Sequence, residues 1–372
     1  AGCVALPGSV EAVEYRRTPL SIPVDRDLFF DPLFVRHLAA LRSAVERFRP
    51  DVIHVTGPGD AGILGVLVSR IVKAPLVASW HTNVHEFAAA RLRRAGMPGR
   101  WTDSAERLIF RLAALYYRVP RLLFAPNPEL VRLLGERTGR PVHEMSRGVD
   151  SVLFHPRRRT DSSGLVLGYV GRLTPEKNVG LLVAVDRALR ASGVKDHRFI
   201  ITGEGGERSA LARSLPEAEF TGVLRGEALA DAYASMDVLL FPSHADTFGN
   251  VVLEALASGT PALVTGSGGP KYLVQPGVTG WIATDDGDFV NRAVALAANR
   301  SDLPGMRHAA RLAAEQRSWD RVFESLYRSY SFALGRAAEQ AQKPLPVDLA
   351  QVDDDQTVET ASESRIHAAG DH

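Results

Sequence analysis

Cysteine occurs once in the 372-residue chain, at Cys3. A single thiol excludes an internal disulfide framework and a cysteine-rich metal site, and makes a reducing, cytoplasmic setting the expected one. Long apolar runs are missing as well: none reaches the roughly 18 residues that span a bilayer, and no secretory leader pattern is visible. Net charge is close to absent. Lys and Arg total 44 against 43 Asp and Glu, a formal charge of +1; a dedicated nucleic-acid binder usually carries a strong basic excess. Short tandem repeats of the solenoid kind are also lacking. Apolar residues are plentiful, at 45%. At roughly 150 residues per domain, the chain holds about two domains with large cores.

The near-zero charge hides two local imbalances. From Lys343 to His372 the acids Asp348, Asp353, Asp354, Asp355, Glu359, Glu363 and Asp371 face only Lys343 and Arg365. With Pro344, Pro346 and no hydrophobic period, 341–372 reads as a disordered acidic tail. The segment Arg91–Arg121 holds eight arginines against Asp103 and Glu106. It interleaves them with Trp101, Leu108, Ile109, Phe110, Leu112, Leu115, Tyr116 and Tyr117. Two readings fit: a face for anionic lipid, or a solvated helix with an ordinary core stripe.

Short apolar runs alternate with longer amphipathic ones. Strands are expected at Asp51–Thr56, Leu76–Trp80, Leu122–Pro126, Leu165–Val170, Arg198–Thr202, Val238–Pro242 and Pro261–Thr265. Helices are expected at Phe34–Arg49, Ser104–Tyr117, Val179–Ala191 and Glu227–Met236. Strand–helix alternation means right-handed βαβ units and parallel sheets. The pause at Gly148–Ser163 has a linker's composition and splits the chain near residue 155. The expected fold is therefore α/β, with two Rossmann-like domains.

Gly57-Pro58-Gly59-Asp60-Ala61-Gly62 matches a dinucleotide fingerprint. Pro58 removes an N–H that would face a pyrophosphate, and no acid ends the next strand, so a tight strand–helix turn is the better reading. Other stretches carry more chemistry. Gly171-Arg172-Leu173-Thr174-Pro175-Glu176-Lys177-Asn178 follows a strand. Its two cations suit a diphosphate, although a solvated loop fits the residues equally well. Asp246-Thr247-Phe248-Gly249-Asn250-Val251-Val252-Leu253-Glu254 follows another strand. Gly249 and Asn250 open a helix whose free N–H groups favour an anion. Asp246 and Glu254, one on the loop and one a turn into the helix, suit the hydroxyls of a polar ligand, although each acid alone also fits a structural role, Glu254 by capping a neighbouring loop. Gly266-Ser267-Gly268-Gly269 reads as an anion nest or as a flexible turn. His81 and His85 lack the glutamate of a zinc helix motif, so no metal is expected there.

These motifs, together with ITGEG (Ile201–Gly205), FTGVL (Phe220–Leu224), DVLLFPS (Asp237–Ser243) and GVTGW (Gly277–Trp281), resemble family-4 glycosyltransferases of the GT-B fold. In the first half FRPDVIH (Phe48–His54), SWHT (Ser79–Thr82) and RGVD (Arg147–Asp150) resemble the same family. The similarity is to bacterial mannosyl-, glucosyl- and sulfoquinovosyltransferases, and it extends over roughly Phe34 to Tyr330.

The resemblance implies a retaining hexosyltransferase, with transfer from a nucleotide-diphospho-sugar to a hydroxyl acceptor. The donor is GDP-mannose or a UDP-hexose; a lipid or glycolipid is one acceptor class. Its alternatives are a non-catalytic or truncated nucleotide-sugar binder and a sugar-nucleotide epimerase of the same fold. His81, Arg172, Lys177 and Asp246 become the expected catalytic residues. Gly171, Arg172, Lys177, Gly203, Leu224, Asp246, Phe248, Gly249, Asn250, Val251 and Glu254 become the expected donor site, with Glu254 on the ribose. Most members carry Glu where this chain has Asp246. No metal or cofactor is implied. The expected units are an acceptor-side domain over 1–155, a donor domain over 156–318, a C-terminal helix over 319–338 packing back on the first domain, and the tail. Ala1–Pro7 reads as the family's second strand, which places its first strand and glycine-rich loop outside this polypeptide. Peripheral contact with the inner membrane face through 91–121 completes the expectations.

Overall fold

The computed structural model describes residues 2–5, 11–23, 29–81, 83, 88–89, 92, 96–159 and 164–335. The expected acidic tail, Thr82, His85 and the arginines Arg91, Arg93 and Arg94 lie outside the described residues. The first strands form two antiparallel pairs: β1 (Gly2–Ala5) with β2 (Glu11–Glu14), and β3 (Ile22–Pro23) with β4 (Phe29–Phe30). Gly2–Ala5, read as the family's second strand, is a strand and pairs antiparallel with the strand that follows it. Its partner is the segment five residues along the chain, where closing the loop costs little entropy.

Helix α1 (Leu38–Phe48) leads into β5 (Ile53–Val55), α2 (Asp60–Val72), β6 (Leu76–Ser79), α3 (Gly99–Tyr117), β7 (Leu122–Ala125), α4 (Pro128–Thr138) and β8 (Val142–Glu144). The four strands from β5 to β8 form a parallel sheet in chain order. β6 and β7 are buried at every position, as apolar strands are when both sheet faces are covered. The fingerprint-like turn has a packing cause. A Cβ on Gly62 would lie 1.8 Å from the Gly57 carbonyl oxygen, and one on Gly65 would lie 2.4 Å from Val55 Cγ1. The glycines let α2 sit close on β5.

The second half runs through β9 (Leu165–Val170), α5 (Leu181–Ala191), β10 (His197–Thr202), α6 (Arg208–Ser214), β11 (Glu219–Gly222), α7 (Gly226–Ser235), β12 (Val238–Phe241), α8 (Asn250–Ala257), β13 (Ala262–Thr265) and β14 (Gly280–Ala283). Helices α9 (Asp286–Ala298), α10 (Leu303–Glu315) and α11 (Trp319–Ala333) follow. The sheet order is β11-β10-β9-β12-β13-β14, all parallel. The direction of winding reverses between β9 and β12, and the crevice at such a switch point is where open α/β sheets bind ligands. β11 and β14 were not legible as strands, because each begins or ends in glycine and is only partly buried.

Two chain crossings join the halves. Val149 N–H donates to the Arg317 carbonyl at 3.0 Å, and a Cβ on Gly148 would lie 2.6 Å from the Trp319 nitrogen. After the second crossing α11 returns to the first sheet. Leu326 and Tyr330 pack with Val77, Leu122 and Phe124, and the Tyr330 hydroxyl lies 2.6 Å from His54 Nδ1.

Candidate active site

The loop after β9 is fastened before it reaches the crevice. Gly171 has φ +150° and its N–H donates to the Thr202 carbonyl at 3.0 Å. The Tyr169 hydroxyl donates to the Arg172 carbonyl at 2.8 Å. Leu173 N–H donates to the Glu204 carbonyl at 2.9 Å. The loop after β10 lies against it so closely that a Cβ on Gly203 would sit 1.9 Å from the Gly171 carbonyl oxygen, and one on Gly205 2.1 Å from that of Leu173. Pro175–Lys177 then forms a single 3-10 turn, closed by Asn178 in the left-handed region at φ 52°. The turn delivers Lys177.

Lys177 meets Asp246 from the loop after β12. Its Nζ donates to both carboxylate oxygens, at 2.6 and 2.8 Å, and both side chains are mostly buried. The Asp246 carbonyl accepts from Gly269 N–H at 2.7 Å. A Cβ on Gly268 would lie 2.5 Å from that carbonyl oxygen, and one on Gly269 2.1 Å from the Thr247 carbonyl oxygen. The Gly266–Gly269 glycines therefore admit the backbone of Asp246–Thr247. Gly249, at φ +104°, opens α8. Asn250 is exposed and Val251 half-buried at its first turn, whereas the Phe248 side chain is in the hydrophobic core. Phe248 therefore has only its backbone to offer a ligand.

The other expected residues occupy different partners. Arg172 is 55% exposed, with Glu176 as an ion-pair partner at 3.8 Å. Glu254 accepts from the buried Tyr233 hydroxyl at 2.7 Å through Oε2. Burial raises the Glu254 pKa, opposed by that hydrogen bond. Leu224 is half-buried just after β11, beside Gly222, whose carbonyl accepts from Gly203 N–H at 2.8 Å.

The first half reaches this loop through His81 and Asn127. Thr247 Oγ1 donates to the His81 carbonyl at 3.0 Å, and Asn127 Nδ2 donates to the Thr247 carbonyl at 2.7 Å. His81 Nδ1 lies 2.8 Å from Arg147 Nη2. Guanidinium has no acceptor, so Nδ1 accepts and the neutral ring carries its proton on Nε2. Burial, then the Arg147 charge, lowers the His81 pKa to about 4. Asn127, Arg147, Tyr233 and Thr247 escaped the sequence reading in these roles. Asn127-Pro128 signals a helix cap, and the Asn127 side chain does accept from Leu130 N–H at 2.9 Å. The amide's second bond crosses between halves and leaves no local pattern.

Two α/β sheets joined by paired crossings, with a basic loop and an acidic loop at the switch point of the second, define a GT-B architecture. Comparison with known proteins gives the same class. Residues 4–149 match the model "Glycosyl transferase 4-like domain", and residues 164–299 match "Glycosyl transferases group 1". A GDP-mannose-dependent alpha-mannosyltransferase of Mycobacterium tuberculosis is 36% identical over 321 residues, covering 83% of this chain and 80% of that protein. A sulfoquinovosyl transferase of Arabidopsis thaliana is 28% identical over 327 residues, covering 82% of this chain and 58% of that protein. Among solved structures, a sucrose-phosphate synthase from Thermosynechococcus elongatus superposes with a TM-score of 0.70 at 16% identity, covering 90% of this chain and 86% of the other. The chain belongs to the family-4 glycosyltransferases. It is a hexosyltransferase that draws on a nucleotide-sugar donor.

Proposed function

We propose that the chain is a retaining mannosyltransferase that takes mannose from GDP-mannose and passes it to a hydroxyl of a lipid-linked acceptor. The observation that carries the site is the meeting of Lys177 with Asp246 at the switch point. An ammonium has three N–H donors. Two reach Asp246, and the third serves a donor phosphate oxygen. Arg172, exposed at the mouth of the same loop, closes on the diphosphate as a bidentate partner. Together they stabilise the negative charge that grows as the bond between the sugar C1 and the phosphate oxygen breaks, the work that fixed cations do best in a dry cleft. This needs no divalent ion. The acceptor oxygen bonds to C1 from the face the diphosphate leaves, and its proton passes to the departing phosphate oxygen.

Glu254, held by Tyr233, offers Oε1 to the ribose hydroxyls, and the N–H groups of Gly249–Val251 at the start of α8 receive phosphate oxygens. Asp246 and the Nε2–H of His81 address sugar hydroxyls. Preference for GDP-mannose follows the mycobacterial relative, a GDP-mannose-dependent alpha-mannosyltransferase. The lipid link rests on α3. Trp101, Leu108, Leu112 and Leu115 are 56–59% exposed along one side of that helix, so the stripe divides, with Phe110, Ala113, Tyr116 and Tyr117 turned to the core. Arg100, Arg107, Arg111 and Arg118 recur with the same helical spacing beside the exposed row, the pattern of a helix lying on an anionic membrane surface.

The test is turnover of GDP-mannose and UDP-glucose by wild type, Lys177→Ala and Glu254→Ala. GDP-mannose turnover should fall roughly a hundredfold or more in Lys177→Ala, and Glu254→Ala should chiefly raise the donor KM. Unchanged activity in both variants sinks the site, and a UDP-sugar preference sinks the donor. Sedimentation with anionic vesicles, compared with Leu108→Asp, tests the membrane face separately; equal sedimentation removes it.

A further inference from the structure

The amino ends of the first sheet's strands, on the edge opposite His81 and Asn127, surround a depression of about 470 Å³. Arg70 and Lys73 reach it from the end of α2, Arg118 from the end of α3, and Arg121 and Arg140 from the residues just before β7 and β8. Among the described residues, five cations and no carboxylate line this concavity. Like charges gathered over a low-dielectric wall focus a positive potential and concentrate anions.

Part of this charge has a structural use. Helices α2, α3 and α4 all end on this edge, and helix carboxyl termini favour cations. Arg118 Nη2 donates to the Arg137 carbonyl at 3.2 Å, and Arg140 Nε to the Arg118 carbonyl at 2.6 Å. Each bond takes one N–H of a five-donor fork, so most donors remain. Among the described residues no acid pairs with Arg70, Lys73 or Arg121. Arg121 stands at a strand start, beyond the helix it follows. Capping therefore explains cations on this edge but not five around one cavity.

We propose that this pocket binds a phosphate-bearing anion, with Arg70, Lys73 and Arg121 as its main contacts and Arg118 and Arg140 at its sides. The pocket's charge is independent of the donor and acceptor proposed for the cleft; only the headgroup source draws on the membrane face of α3. A sheet's length separates the pocket from the cleft, so its occupant does not compete with the nucleotide-sugar. Arg118 also ends the arginine row of α3, which puts the pocket within reach of a membrane surface. The anion is a lipid headgroup phosphate or a soluble phosphate compound.

Inorganic pyrophosphate is the soluble probe. Phosphatidylcholine vesicles with and without phosphatidylglycerol are the membrane probe. Both are titrated against the full chain carrying Arg172→Ala and Lys177→Ala, which removes the two cations proposed to bind diphosphate in the cleft, and against the same protein with Lys73→Gln and Arg121→Gln added. These two residues are exposed, and melting without ligand shows that the fold is kept. Lys73→Ala and Arg121→Ala repeat the measurement with a different truncation. The added pair should weaken pyrophosphate roughly a hundredfold, about tenfold for each charge-assisted contact. Anionic-vesicle binding lost with the pair assigns a headgroup. Pyrophosphate binding lost while vesicle binding persists assigns a soluble compound. If the pair changes neither probe, the proposal is overturned and the cations serve the helix ends alone.

Discussion

Lys177 and Asp246 are bonded to each other in the structure, and that pairing shapes how the site fills. A carboxylate against the ammonium holds Nζ in place and neutralises part of its charge, which, on the proposed function, a donor diphosphate would come to share. At the same residue scale, buried imidazoles set the acid limit of the fold. His54 lies between Tyr330 and Ser79. Burial, and then the nearby His81, bring its pKa from 6.5 down to about 4. Because the unfolded chain takes up this proton more readily, the stability is whole above about pH 6.5 and declines as pH falls toward about 4. The melting temperature should therefore drop between about pH 7 and pH 5, with a shallower slope in His54→Gln. His81 acts in the same direction, for burial and Arg147, so the slope should lessen without vanishing. The candidate site was largely legible at this scale: the residues that meet, Lys177 and Asp246, both stand out in the sequence. Arg147 and Tyr233 did not, because a buried donor is known only by what it faces.

Among the elements, glycines decide how closely loops can run. Gly203 holds φ +138°, and its missing Cβ leaves room for the Gly171 carbonyl. Gly206 stands three residues on with nothing within 4 Å of a built Cβ. Gly203→Ala should cost about 2–3 kcal/mol, as a clash in a special backbone region does, and should disturb the Lys177 turn through Gly171. Gly206→Ala should melt within about a degree of wild type; thermal melts and donor affinity of the pair check both statements. Helix α3 shows the limit of pattern reading. Its expected start at Ser104 moves to Gly99 after Pro98, whose carbonyl accepts from the N–H groups of Trp101 and Thr102 at 2.9 and 3.2 Å and so caps the first turn. Its apolar residues divide between core and surface, which spacing alone left undecided.

Across the whole molecule, the two halves meet at Thr247. Asn127 donates to its carbonyl and Thr247 donates to that of His81, while Lys271 pairs with Glu129 at 3.0 Å. Asn127→Asp keeps the oxygen that caps α4 but replaces the amide donor with a carboxylate facing a carbonyl. It should lower the melting temperature by a few degrees, open the cleft, and lower kcat/KM by about five- to tenfold, a lost hydrogen bond with added repulsion. A larger radius of gyration in solution scattering, absent in wild type, is the structural readout. An unchanged radius and rate would show that the contact does not hold the halves together.

Strand–helix alternation, continuous apolar strands and the loops after β9 and β12 were determined by the sequence alone, because periodicity and turn chemistry act over a few residues. So was the family, carried by those loop motifs. Only the tertiary structure decided that Lys177 pairs with Asp246, that Glu254 leans on Tyr233, that Asn127 crosses to Thr247, and that five cations from separate segments gather at the far edge of the first sheet. Each of these joins residues separated by tens of positions or more. Their distance is set by sheet order and by the packing of helices over both faces, and no local stretch of chain contains that information.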